Sequence, residues 1–194
     1  MRYGEVNRET AETKISISLE LDGMGKTEIH TGIGFFDHML NLFAAHGRFD
    51  LKVQCHGDID VDGHHSVEDI GIALGQALKE ALGDKRGIAR YGTFYLPMDE
   101  ALAFVSLDIS GRPYLVYEGG EMAPMIGDYD TELTEEFLRA LAVNAGLTLH
   151  AKVLYGKNSH HKVEAIFKAL GHALRIAVLK DPRMDGVPST KGVL

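Results

Sequence analysis

The chain has 194 residues, a formal net charge of −8 and a single cysteine, Cys55. A chain of this length buries roughly 70% of its unfolded surface, so it forms a core without a staple. One cysteine excludes an internal disulfide and fits a reducing compartment, and the acidic balance counts against a nucleic-acid partner. With no leader-like apolar segment and no apolar run near the roughly 18 residues a membrane helix needs, a soluble cytoplasmic protein without a membrane partner is expected.

Taken in order, Ile15, Ile17, Leu19 and Leu21 alternate with polar neighbours and predict a strand. Phe35 to His46 carries Phe36, Met39, Leu40 and Phe43 at helical spacing, and Gly47 is expected to stop that helix. Phe49 to Cys55 reads as a short strand. Val67 to Leu82, with Ile70, Leu74 and Leu78, reads as a second helix. The pattern then repeats. Arg90-Tyr91-Gly92 restates Arg2-Tyr3-Gly4 at an offset of 88, where Glu12 also matches Glu100, Ser18-Leu19 matches Ser106-Leu107 and Gly23 matches Gly111. Thr131 to Ala145 is the counterpart of the first helix, with Thr131 as its candidate N-cap. Leu147 to Leu154 predicts a strand and Val163 to Leu179 the closing helix; the tail from Asp181, with Pro182, Gly186, Pro188 and Gly192, is loop. Two halves, 1–86 and 87–194, each ordered strands, helix, strand, helix, are expected to share one core. The fold class is α/β (α+β), with mixed sheets covered by helices.

The duplication includes one unusual motif. His64-His65-Ser66-Val67-Glu68 opens the last helix of the first half, and His160-His161-Lys162-Val163-Glu164 that of the second. The first His and the Glu, at i and i+4, lie on one helix face, with the second His beside them. A single His-His pair is usually surface chemistry of no account; two copies at equivalent places point to metal. His38 and Glu136 lie in the equivalent preceding helices and add a ligand each, although Glu135 competes with Glu136 for the inward position. Nitrogen and oxygen donors without sulfur favour manganese or iron in two octahedral sites over structural zinc. Asp58-x-Asp60-x-Asp62-Gly63 nearly spells a calcium loop. A strand precedes it where such a loop needs a helix, so a polar turn feeding the His-His helix is expected.

Cations for an anionic substrate are fewer. Lys168 lies one turn beyond Glu164, either as a surface i, i+4 pair or as a cation aimed at substrate. Arg90 and Arg112 stand at strand ends. The tail Pro188-Ser189-Thr190-Lys191-Gly192 offers hydroxyls, N–H groups and an ammonium as a phosphate cradle.

Both His-His-x-x-Glu motifs, Phe35-Phe36-Asp37-His38-Met39-Leu40, Thr148-Leu149-His150 and the closing Pro188-Ser189-Thr190-Lys191-Gly192-Val193-Leu194 resemble the imidazoleglycerol-phosphate dehydratase family, from about Glu5 to Leu194. The resemblance implies a duplicated ribosomal-S5-domain-2-like unit and a homo-oligomer of 24 subunits whose sites are shared between chains. It implies two manganese ions per site on His38, His64, His65, Glu68, His160, His161 and Glu164, with the last ligand position on Glu136, where several relatives carry His. Substrate contacts fall on Glu12, His46, Arg90, Asp99, Arg112, Lys168, Ser189 and Lys191. The implied reaction is dehydration of imidazole glycerol phosphate to imidazole acetol phosphate in histidine biosynthesis, through a metal-bound imidazolate, with Glu12 and Glu164 as candidates for proton transfer. A metal store would explain the histidines but not Lys168 and the tail. A dinuclear phosphate-ester hydrolase would need a bridging carboxylate that the pattern does not offer.

Overall fold

A computed structural model describes residues 1–192 and 194; Val193 of the tail motif lies outside the described residues. In the first half, strands β1 (Tyr3–Glu9), β2 (Thr13–Glu20) and β3 (Thr27–His30) lead to helix α1 (Gly34–Gly47), strand β4 (Asp50–Gly57) and helix α2 (His64–Leu82). In the second, β5 (Tyr91–Met98), β6 (Ala101–Asp108) and β7 (Tyr114–Glu118) lead through a small hairpin, β8 (Met125–Ile126) and β9 (Tyr129–Asp130), to α3 (Leu133–Ala145), β10 (Thr148–Tyr155) and α4 (Ser159–Val178). The two sheets have the same order, β1-β2-β4-β3 and β5-β6-β10-β7. In each, the outermost pair, β3 with β4 or β7 with β10, is parallel and the rest antiparallel. The mixed α/β class is as expected. No helix among the described residues is long and apolar enough to cross a membrane.

Alternation sets the faces. In β2, Ile15, Ile17 and Leu19 are buried while Lys14, Ser16 and Ser18 are exposed or half-buried outward; in β6, Ala101, Ala103, Val105 and Leu107 do the same. The inward faces carry the helices, and the buried apolar residues of both halves form one cluster.

The helices exchange partners. α2 and α4 lie on their own sheets, but α2 packs against α3 and α1 against α4, so each close helix pair joins the two halves. Small residues permit this. A Cβ on Gly171 of α4 would overlap the Phe43 carbonyl of α1, and one on the equivalent Gly75 of α2 would lie 2.9 Å from the Leu141 carbonyl of α3. Gly4 and Gly92, one in each sheet, likewise touch the carbonyls of Ala77 and Ala173.

Two expected helix boundaries need correction. Gly47 does not terminate α1: it is the last helical residue, and Arg48 takes the left-handed conformation (φ 57°) that closes the helix. Gly47 is needed because a Cβ there would meet the ring of Phe49. Thr131 is not the cap of α3. That position is Glu132, without a side-chain cap bond, and the Thr131 hydroxyl donates instead to the Ala123 carbonyl at 2.9 Å.

Candidate metal centre

His160, Glu164, Lys168 and His172 follow one another at four-residue intervals, so they form a single polar stripe along α4. α1 runs beside it in the same direction and places His38 opposite His160 in the first turn and His46 opposite His172. His38 Nε2 lies 3.5 Å from Glu164 Oε2, and His160 Nε2 lies 3.0 Å from the same oxygen. One donor atom from each of the three lies within 4.8 Å of the others, the one such group found among the described residues. Two imidazoles and a carboxylate converging in this way fit a divalent ion of the N/O-binding type. The Glu164 side chain is only 7% exposed, whereas those of His38 and His160 are 48% and 43% exposed. The group is therefore anchored on one side and open on the other.

Lys168 forms the i, i+4 ion pair with Glu164 and also approaches Met98 Sδ at 3.5 Å; at 16% exposure for the lysine, the pair lies below the surface. Burial pushes the Glu164 carboxyl up, but Lys168, His160 and His38 together hold it below its ordinary range. Farther along, His46 Nδ1 and His172 Nε2 are 3.2 Å apart, and His172 stacks on Phe94 with ring centroids 4.1 Å apart. Burial, then the charge of Lys168, pushes His46 down, so its ring is held neutral more readily than a free imidazole.

The first-half motif sits at the mirrored junction. His64 Nε2 is 3.8 Å from Glu68 Oε2 on α2, as the i, i+4 spacing requires. Glu136, on the facing helix α3, lies 3.9 Å from Arg139 and lines an acidic cavity of about 620 Å³ with Tyr117, Glu132 and Glu135. The structure does not bring Glu136 into a three-donor group with His64 and Glu68. The second histidine of each motif turns aside to a carboxylate. His65 Nδ1 is 3.0 Å from Asp58 Oδ2, and Glu12 is 3.7 Å from its Nε2. His161 Nδ1 is 2.7 Å from Glu100 Oε2, and Asp99 is 3.6 Å from its Nε2. Asp58 raises the affinity of His65 for a proton, and Glu100 that of His161. The aspartate-rich segment is the expected turn: Asp62 accepts the backbone N–H of His64 at 2.8 Å.

Apart from Lys168, the phosphate candidates do not gather round the metal group within one chain. Arg90, at φ 73°, holds Asp108 through Nε (2.7 Å) and donates from Nη1 to the Pro188 carbonyl (2.8 Å), so it ties the tail to the sheet. Arg112 is exposed beside Asp108 at 3.8 Å, and Ser189 accepts the Lys191 backbone N–H. The Arg90 backbone N–H bonds to the Ala177 carbonyl. Seventeen residues of α4 separate Ala177 from His160, which is about 25 Å of helix at 1.5 Å per residue.

The model of the family described as imidazoleglycerol-phosphate dehydratase matches residues 31–174, which contain α1 to most of α4. The chain belongs to the imidazoleglycerol-phosphate dehydratase family. A relative of that name from Acetivibrio thermocellus is 60% identical over 193 residues, covering 100% of this chain and 99% of the relative. One from Clostridium botulinum strain Hall is 62% identical, covering 98% and 97%. The crystal structure of imidazoleglycerol-phosphate dehydratase from Staphylococcus aureus N315 superposes with a TM-score of 0.84 at 45% identity, covering 92% of this chain and 99% of that one. The Pyrococcus furiosus structure in complex with (S)-C348 gives 0.85 at 40%, covering 97% and 100%. The chain is thus a dehydratase, a hydro-lyase, of a family that acts on a small phosphorylated substrate in histidine biosynthesis. This finding sets aside the metal store and the phosphate-ester hydrolase.

The structure also holds features that the residues alone did not reveal. Glu100 was legible as the match of Glu12, but not its task. Its Oε1 accepts the backbone N–H groups of Lys157 (3.0 Å) and Asn158 (2.7 Å) ahead of α4. Those backbone bonds, with His161, hold its carboxyl down to about 2. His172 and Phe94 carried no sequence signal beyond the i+4 stripe, since pairing with His46 arises only from the α1–α4 contact.

Proposed function

We propose that this chain dehydrates imidazole glycerol phosphate to imidazole acetol phosphate with two manganese ions per site, held by His38, His64, His65, Glu68, Glu136, His160, His161 and Glu164. The observation that carries the reading is the convergence of His38, His160 and Glu164 across the α1–α4 junction. A metal held there would supply Lewis-acid stabilisation of negative charge on the substrate ring, which would favour loss of the hydroxyl on the adjoining carbon as water. The hydrogen on the next carbon is then acidic enough for a carboxylate, and Glu12 and Glu164 are the groups to take it. Lys168 and Glu164 share one stripe, so a substrate ring beside the carboxylate brings its phosphate end toward the ammonium.

The rest of the site comes from other subunits in this reading. One small substrate does not reach from His160 to Arg90 and the tail along about 25 Å of helix. The metal group is open on the side away from Glu164, and His65 and His161 point away from the donors of their own chain. A cytoplasmic homo-oligomer of 24 subunits, in which Arg90, Arg112, Ser189 and Lys191 of one chain meet Lys168 of another, satisfies all three observations. The test is turnover of imidazole glycerol phosphate by protein stripped of metal and then reloaded with manganese, alongside sedimentation of both forms. Restored dehydration and a larger assembly on reloading support the reading; full activity in verified metal-free protein overturns it.

A further inference from the structure

The two hairpins that carry Glu12 and Glu100 are anchored by different chemistry. Beneath the Glu12 hairpin, Asp69 of α2 is 7% exposed and fully engaged. Arg8 donates to its Oδ1 from Nε (3.0 Å) and Nη2 (2.8 Å), and the Thr13 hydroxyl donates to its Oδ2 (2.5 Å). Because the Thr13 proton is given to Asp69, the Thr13 oxygen accepts from the Thr10 hydroxyl at 3.2 Å. The Thr10 oxygen in turn accepts the backbone N–H groups of Glu12 (3.1 Å) and Thr13 (3.0 Å). A directed chain of donors therefore runs from the backbone of Glu12 to a buried carboxylate one residue beyond Glu68.

In the second half the same three places are apolar. At the offset of 88, Leu96 and Ala101 stand for Arg8 and Thr13; at the 96-residue offset of the His-His motifs, Ala165 stands for Asp69. All three are buried, at 7%, 1% and 0% exposure. There the hairpin is fixed by Glu100 itself, whose oxygens bind the entry to α4. Among the described residues the Glu12 carboxylate makes no comparable hydrogen bond, and it is about half exposed, 3.7 Å from His65.

We propose that Asp69, through Thr13, Thr10 and Arg8, is a positioning residue that fixes the Glu12 backbone and leaves its carboxylate free to serve the reaction. The first half thus spends a buried polar network where the second spends the glutamate. This inference rests on the reading of Glu12 as a group acting on substrate, and the experiment separates the two. In the full-length, manganese-loaded enzyme, Asp69→Asn and the triple variant Arg8→Leu, Thr13→Ala, Asp69→Ala are each made alone and with Glu12→Gln. The triple variant copies the packing of the second half, so it remains informative where Asp69→Asn folds poorly.

The expected result is a fall in kcat of roughly 100-fold, the size of loss a misplaced group gives, with KM and bound manganese unchanged. In the Glu12→Gln background the same changes should have no further effect. Equal losses in both backgrounds, or unchanged kcat beside a slow Glu12→Gln enzyme, overturn the positioning role while leaving Glu12 in place. A fully active Glu12→Gln enzyme overturns the role of Glu12 and the positioning of it together.

Discussion

The hairpin joining β1 to β2 and the hairpin joining β5 to β6 occupy equivalent places and carry equivalent glutamates, yet they use them oppositely. Glu100 is consumed by structure, with one oxygen on two backbone N–H groups and the other on His161. Glu12 is left exposed, and the work of holding its hairpin passes to Arg8, Thr13 and Asp69. A repeated hairpin can thus keep its place while one copy leaves its glutamate exposed, provided another set of bonds replaces the anchoring that side chain supplies in the other. The same contrast recurs at the metal candidates: His38, His160 and Glu164 are drawn together, while Glu136 stands apart from His64 and Glu68.

The largest test of that contrast is metal removal. Chelation is expected to abolish turnover, with manganese restoring it best, and His64→Ala and His160→Ala should both lose bound metal. Retention of full metal content by His64→Ala would assign metal binding to the second-half motif alone. Next comes the glutamate pair. Glu12→Gln should lower kcat by about 10²–10⁴-fold, the usual contribution of a positioned proton-transfer group. Glu100→Ala should lower kcat less than Glu12→Gln does but lower the melting temperature, because two N–H groups before α4 lose their acceptor. A reversed pattern in the steady-state and melting data would break the comparison.

Lys168 sharpens it further, since its equivalent in α2 is Ile72. Lys168→Ala should weaken substrate binding by roughly 1–3 kcal/mol, the cost of a lost charge-assisted bond, with metal content intact. Loss of metal by atomic absorption would make it a support of Glu164 instead. Smaller effects belong to the junctions. Gly75→Ala and Gly171→Ala force the paired helices apart and should each cost about 1–3 kcal/mol in calorimetry. The loss should be greater for Gly171, whose added Cβ meets the Phe43 carbonyl more closely than that of Gly75 meets Leu141.

The smallest effect is at Asp50, which accepts the backbone N–H groups of Met24 and Lys26 at 2.8 Å, bonds that hold its carboxyl below its ordinary range. A depressed carboxylate stabilises the fold above its unfolded value, near 3.9, and loses that contribution as pH falls through the lower folded value. The stability gap between wild type and Asp50→Asn should therefore be constant above about pH 5 and close in more acidic solution. A gap unchanged down to pH 2 would show that the bonds do not depend on the charge.

By itself the sequence determined whatever depends on local spacing. Alternation at Ile15, Ile17 and Leu19, helical spacing at Phe36, Met39, Leu40 and Phe43, and the repeated His-His-x-x-Glu motif fix strands, helices and the histidine–glutamate faces, because each rests on the period of one element. The matching residues at an offset of 88 also made the duplication legible. What spacing does not encode is which elements meet. Only the tertiary structure decided that α1 packs on α4, so that His38 joins the motif of the other half; that contact depends on Gly171 and on side chains more than a hundred residues apart. It also decided that Arg48 closes α1 and that Arg90 lies far along α4 from His160. Above all it parted Glu12 from Glu100. Identical side chains at matching positions differ because one finds the N–H groups of Lys157 and Asn158 within reach and the other does not, a difference set by neighbours distant in the chain.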